Sequence, residues 1–166
     1  VSLTLAYFES EETAASRDNN TGEALERRGL QIEGVELQVQ GRLTDSLSFQ
    51  GGMTSQSGET QTGVQPRELP ETTASLWVNN QLTDSLGVGF GFTYQDESLI
   101  SDGSNAYLPA FTRFDASARY DVSDDLRIGL HLENLTDEVY FPHAHGTHQA
   151  TVGAPFTARL SLSGKF

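Results

Sequence analysis

From Leu86 to Tyr94 the sequence reads LGVGFGFTY. Leu86, Val88, Phe90, Phe92 and Tyr94 occupy every second position, and Gly87, Gly89, Gly91 and Thr93 lie between them. A period of two is that of a β-strand, whose successive side chains point to opposite faces. The same alternation sets Val35, Leu37, Val39, Gly41 and Leu43 against Glu36, Gln38, Gln40 and Arg42. It also sets Phe114, Ala116, Ala118 and Tyr120 against Asp115, Ser117, Arg119 and Asp121. Leu126, Ile128, Leu130 and Leu132 oppose Arg127, Gly129, His131 and Glu133 in the same way. The last such row has Phe156, Ala158, Leu160, Leu162 and Phe166 against Thr157, Arg159, Ser161, Ser163 and Lys165. No stretch carries an apolar stripe of helical period.

The pattern predicts an all-β chain of eight strands, at about 1–10, 30–43, 46–57, 70–82, 85–96, 110–122, 125–135 and 155–166. Their connections fall into two classes. LTDSL occurs at 43–47 and 82–86, and VSDDL fills the same slot at 122–126, so tight turns recur 39 and 40 residues apart. Between these hairpins lie longer connections, at about 11–29, 58–69, 97–109 and 136–154. Short turns on one side and long loops on the other describe an antiparallel meander of the transmembrane β-barrel type. Ten residues at about 3.3 Å each, tilted near 40°, rise roughly 25 Å, the height of the apolar band of such a barrel.

Composition agrees. Hydrophobic residues make up 36% of the chain and glycine contributes 16 residues, whereas soluble domains hold roughly 45–50% apolar residues with glycine included. A barrel wall needs apolar side chains at only every second position. No apolar run approaches the ~18 residues of a membrane-spanning helix. The formal net charge is −13, with Lys165 as the single lysine, which argues against nucleic-acid binding because little here would neutralise phosphates. The absence of cysteine excludes disulfides and thiolate metal sites. Aromatic residues near the strand ends, Tyr7, Phe8, Tyr94, Phe111, Tyr120, Tyr140 and Phe141, are expected to form interfacial girdles. A soluble barrel or sandwich is the alternative, disfavoured by the turn asymmetry and by polar rows rich in small residues and glycine. Val1 already opens the strand-like pattern VSLTLAYFE with no signal peptide before it, so the sequence is expected to belong to a longer protein.

Several segments, in order, resemble the C-terminal barrel of TonB-dependent outer-membrane receptors, and the siderophore-uptake branch in particular. GVELQVQGRLTDSLSFQGGMT resembles the G-V-E-L-E strand of that family, its tight periplasmic turn and the next strand. LPETTASLWVNNQLTDSLGVGFGFTY resembles its proline-led strand with a tryptophan, followed by a turn and a Gly/aromatic strand. LPAFTRFDASARYDVSDDLRIGLHLENLTDEVYF resembles the strand that leads to the N-L-x-D-x-x-Y motif after the penultimate strand. The terminal Phe166 is similar to the aromatic end of the last strand. One departure is GAPFTAR, with Phe156 where the family's G-x-P-R has arginine.

The resemblance implies that residues 1–166 are the last eight strands of a barrel of about 22, without the TonB box, the plug and about fourteen further strands. It implies energy-coupled import, through the bacterial outer membrane, of a ferric siderophore or a similar iron complex. The implied partners are that ligand, the TonB complex acting through the missing N-terminal region, outer-membrane lipid, and the barrel assembly machinery. Phe166 would carry the assembly signal. In the last strand Leu160, Leu162 and Phe166 would face lipid, with Arg159, Ser161, Ser163 and Lys165 facing the lumen.

No catalytic constellation is present: no cysteine, no G-x-S-x-G elbow and no H-E-x-x-H helix. The carboxylate pairs Glu11–Glu12 and Asp124–Asp125 lie in predicted loops or turns, where they read as solvated charge rather than acid–base machinery. The chain is therefore read as a transport protein and not an enzyme, with no cofactor and no metal site. HAHGTH places His143, His145 and His148 in a long loop as candidate ligand contacts of a haem-like or metal-bearing cargo, against the plainer reading of a polar loop. DNNTGEALE has Gly22 where a calcium loop needs an oxygen ligand; loose calcium binding by Glu9, Glu11, Glu12, Asp18, Glu23 and Glu26 is the weaker alternative to hydrated surface charge. NLT at 134–136 matches a glycosylation sequon that has no meaning in a bacterial outer membrane.

The lumen-facing rows carry Arg42, Arg113, Arg119, Arg127 and Arg159 beside Glu36, Asp115, Asp121 and Glu133. Mixed signs predict ion pairs that brace the wall or link it to a plug, with an anion path as the other reading. Alternation leaves Trp77 open between lumen and rim. The competing architecture is a complete eight-stranded outer-membrane barrel with a structural or adhesive role, since eight strands can close. Paired first and last strands would favour that barrel; an open, curved sheet would favour part of a wider one.

Overall fold

In a computed structural model, which describes residues 1–17, 21–22, 24–102 and 104–165, eight long strands form one antiparallel sheet. They are β1 (Ser2–Arg17), β2 (Ala24–Arg42), β3 (Leu47–Thr60), β4 (Thr72–Gln81), β5 (Leu86–Gln95), β8 (Phe111–Ser123), β9 (Leu126–Glu133) and β12 (Thr157–Gly164). Each pairs with its neighbour in sequence, in the order β1-β2-β3-β4-β5-β8-β9-β12. The loops add two small ladders, β6 (Ser98–Leu99) with β7 (Tyr107–Leu108), and β10 (His143–Ala144) with β11 (Ala150–Thr151). β1 and β12 are the edges of the sheet and do not pair with each other, so the eight strands do not close into a ring. The complete eight-stranded barrel is thereby set aside.

Register turns the sequence pattern into two chemically distinct faces. Leu3 opposes Val39, Leu37 opposes Met53, Phe49 opposes Val78, and Leu76 opposes Phe92. The row continues through Phe92 with Phe114, Ala118 with Leu130, and Leu130 with Leu160. Directly paired residues share a face, so one face is apolar across all eight strands. A single one-residue slip would have turned an entire strand over; none occurs within these spans. This face packs against no other layer: Leu5 is 70% exposed, Phe90 51% and Leu160 74%. A contiguous apolar surface of this kind is the solvent-exposed equivalent of a lipid-facing wall.

The tight turns repeat in structure as they do in sequence. Leu43 and Thr44 N–H both donate to Leu47 O, and Thr44 Oγ1 accepts from Leu47 N at 3.0 Å. The second LTDSL does the same, with Leu82 and Thr83 bonded to Leu86 O and Thr83 Oγ1 accepting from Leu86 N at 3.0 Å. Ser123 replaces the threonine in the third turn, accepting from Asp125 N at 3.3 Å. A side-chain hydroxyl that returns to the backbone two or three residues on fixes the reversal without a glycine. Each turn also joins the next hairpin: Gln81 N donates to Ser46 O, Asp121 N to Ser85 O, and Lys165 N to Asp125 O.

At the opposite end the structure departs from the expected open loops. The first hairpin continues as paired strand well past residue 10, with a register shift between Glu11 and Thr13 and pairing out to Arg17 with Ala24. The buried apolar side chains among the described residues also lie at this end: Leu99, Leu108, Phe111, Tyr140 and Ala144. The girdle expected from the aromatics is therefore corrected in part. Tyr7 and Tyr120 stand exposed on the apolar face, as a girdle requires. Phe8 opposes Gly34 in the other row, and Phe111 stacks on Tyr140 at 4.5 Å within the loop core.

Candidate functional site

The face opposite the apolar one is polar, and its side chains are arranged by what lies across from them. Trp77 belongs to this row: it opposes Gln50 on β3 and Gly91 on β5. Its indole N–H donates to Asn79 Oδ1 at 2.8 Å. The ring lies over the glycines of β5, where a Cβ on Gly89 would stand 2.7 Å from Trp77 Cζ2 and one on Gly91 would run into Trp77 Cε3. The glycines that alternate with large apolar residues in LGVGFGFTY thus form a flat seat for an aromatic side chain of the neighbouring strand.

The arginines brace this wall. Arg127 on β9 pairs with Asp121 directly across on β8, and Arg119 approaches the same carboxylate at 3.9 Å. Arg119 also donates to Gln81 Oε1 at 2.8 Å, spanning β5 to reach β4. Arg159 lies 4.0 Å from Glu133. Arg42 lines a groove with Arg119, Arg127 and His131, and makes no ion pair among the described residues. A second groove on the same face is lined by Gln38, Gln40, Gln50, Trp77 and Asp115. These partly exposed pairs hold side chains in place more than they stabilise the fold.

The densest network lies where the wall meets the loops. Arg113 grips Asp115 Oδ2 through Nε at 3.1 Å and Nη2 at 2.9 Å, and its Nη1 donates to the Tyr140 hydroxyl at 3.3 Å. The other oxygen of Asp115 accepts from Asn134 N at 2.9 Å. Asn134 is fully buried; its Nδ2 donates to Glu138 O and Ala154 O, and its Oδ1 accepts from Glu138 N at 2.9 Å. Asp137 then accepts from Phe156 N at 2.8 Å. The NLTDEVY stretch therefore clamps both ends of the 136–156 connection onto the top of β8 and β9. Gly153 completes the clamp: its amide donates to Tyr140 O at 2.7 Å, and a Cβ there would overlap the Tyr140 ring.

Three long loops are tied to one another at this end. Glu68 N donates to Leu99 O at 2.8 Å, and the Glu68 carboxylate accepts from Ala144 N at 2.6 Å. Arg67 N donates to Asp102 Oδ1 at 2.8 Å. Of the three candidate histidines, His145 and His148 come together, with Nδ1 and Nε2 3.3 Å apart, while His143 occupies β10 opposite Thr151. All three are exposed. Phe166 lies outside the described residues. Sequence reasoning missed Glu68, which has no motif around it, and underused Asn134, whose role was signalled by the N-L-x-D-x-x-Y pattern.

A family model for TonB dependent receptor-like β-barrels matches residues 2–135. The chain belongs to that family. It is accordingly an outer-membrane β-barrel segment, with short turns toward the periplasm and long loops outside. Over its whole length it is 28% identical to the probable TonB-dependent siderophore receptor PiuA of Acinetobacter baumannii, covering 25% of that protein. Over 83% of its length it is 28% identical to the catecholate siderophore receptor Fiu of Escherichia coli, of which it covers 20%. The crystal structure of PiuA superposes on 99% of the chain at a TM-score of 0.84 and 25% identity, with 26% of that structure covered. The closed form of Fiu superposes on 99% at 0.83 and 27% identity, with 25% of it covered. The receptor segment thus spans about a quarter of the length of the relatives it matches.

Proposed function

We propose that this chain is the C-terminal part of the barrel of a TonB-dependent receptor that imports a ferric siderophore or similar iron complex. The observation that carries the reading is the superposition of 99% of the chain on the siderophore receptor PiuA at a TM-score of 0.84. On this reading the polar face, with Trp77, Arg113, Arg119, Arg127 and Arg159, lines a passage shared with a plug. Arg42, which pairs with no carboxylate of this segment among the described residues, is available to that plug. The loop histidines and the clamped 136–156 connection face the side from which cargo arrives. Coupling to TonB belongs to the part of the receptor that precedes these residues. Phe166 serves the assembly machinery.

The test is a deletion of the complete gene, complemented with the full-length receptor. Growth and iron uptake are measured under iron limitation with a ferric catecholate, a ferric hydroxamate or haem as the sole iron source. The expected result is loss of uptake from one of these, restored by complementation only in cells with functional TonB. Unchanged uptake of all three, together with no binding of any of them by the purified receptor, would overturn the proposal.

A further inference from the structure

The 136–156 loop ends in a small hairpin whose tip carries two facing imidazoles. β10 and β11 pair through His143 with Thr151 and Ala144 with Ala150, and His145 N donates to Gln149 O at 2.8 Å. Gly146, at φ 72°, supplies the left-handed step that turns the chain back through the short 3-10 turn Gly146–His148. The result brings His145 Nδ1 and His148 Nε2 to 3.3 Å, with the rings perpendicular at 88°. The hairpin is anchored below its tip by Ala144 N, which donates to Glu68 on another loop. The pair is therefore held by a closed turn on a fixed base.

Two imidazole nitrogens at this separation have two uses. With one proton between them they make an N–H···N hydrogen bond. With none, their lone pairs converge, and a metal ion can take the proton's place. A Zn–N bond is about 2.0–2.1 Å, so two nitrogens on a tetrahedral ion stand about 3.3 Å apart. That is the separation seen at His145 and His148. We propose that His145 and His148 form a two-imidazole site for a divalent transition-metal ion such as Zn²⁺ or Cu²⁺. Both rings are exposed, so the remaining coordination positions are open to water or to a donor atom of a ligand. His143 is not part of the site: it sits back on β10, and no third metal-ligating side chain joins the pair among the described residues. The inference does not depend on the nature of the iron cargo, and neither proposal falls with the other.

The experiment uses the full-length receptor purified in detergent, with Zn²⁺ alone as the titrant and Cu²⁺ as a spectroscopic probe. One equivalent of Zn²⁺ is expected to bind the wild type. His145→Ala and His148→Ala are each expected to lower affinity by about tenfold or more, since even outer-shell changes cost that much at a metal site. His143→Ala is expected to leave it unchanged. The Cu²⁺ spectrum of the wild type should show nitrogen hyperfine coupling from two imidazoles, a readout that needs no variant to fold. No Zn²⁺ binding by the wild type, equal binding by the His145→Ala/His148→Ala double variant, or an oxygen-only Cu²⁺ spectrum would each overturn the proposal.

Discussion

Asn134 occupies a left-handed backbone position, φ 54°, that asparagine tolerates better than most side chains, and its amide is matched on both sides. Asn134→Ala is expected to cost on the order of 3 kcal/mol, because it strands buried backbone groups at both ends of the clamp. The check is protease cleavage of the full-length receptor in outer membranes: cutting within 136–156 should accelerate while the strands remain resistant. A different residue-scale argument applies to Gly89. The methyl of Gly89→Ala would meet side-chain atoms of Ser117, Trp77 and Asn79. It is expected to destabilise by about 1–3 kcal/mol, the usual scale of overpacking. Trp77→Ala in the same chain should recover part of that loss, and a double-mutant cycle on the denaturation midpoint measures the coupling. The alternation in LGVGFGFTY made these glycines visible as one row of a strand. That they seat Trp77 was not legible, because it depends on the register between β4 and β5, which alternation alone leaves free by steps of two.

At the scale of elements, the sheet and the loops have different origins. The eight long strands could be read from period-two rows and repeated turns, because each strand writes both its faces into its own sequence. Their ends shifted by a few residues, most at β1 and β2, where polar residues continue a ladder that needs no apolar face once it has left the membrane. The ladders β6–β7 and β10–β11 are two residues long, too short for any period to register, and the loop core exists only through contacts among distant segments. The Glu68 carboxylate makes one of those contacts, 76 residues away in sequence at Ala144. Glu68→Ala is expected to raise the hydrogen-exchange rate of the Ala144 amide, while the amides of β3 and β4 exchange as before. Equal protection of Ala144 in both proteins would show that the loops are held together without this bond. The paired histidines follow the same logic: HAHGTH announced three imidazoles, but only the folded turn selects two of them.

For the whole molecule, one face must meet lipid and the other water, and each strand must obey that rule in every row. Phe90 and Ser117 test it on adjacent strands of the sheet. Phe90→Arg, on the apolar face, is expected to cost about 2–4 kcal/mol near the bilayer midplane, and Ser117→Arg, on the polar face, much less; outer-membrane abundance and heat-modifiability of the full-length receptor report the difference. Among the described residues β1 and β12 each have a strand neighbour on one side only, so the isolated segment is expected to aggregate by edge pairing, as light scattering would show. The segment contains no cysteine, which suits it to single-site labelling within a receptor whose other cysteines are replaced. The decisive measurement places nitroxides one at a time at residues 74–79 and 86–93 in the receptor in lipid bilayers, and compares collision with oxygen and with a water-soluble nickel chelate. Oxygen should dominate at Ala74, Leu76, Val78, Leu86, Val88, Phe90 and Phe92, with the chelate dominating at the positions between them. A profile without this alternation, or one with its phase reversed, would contradict the assignment of these strands to the wall of an outer-membrane barrel.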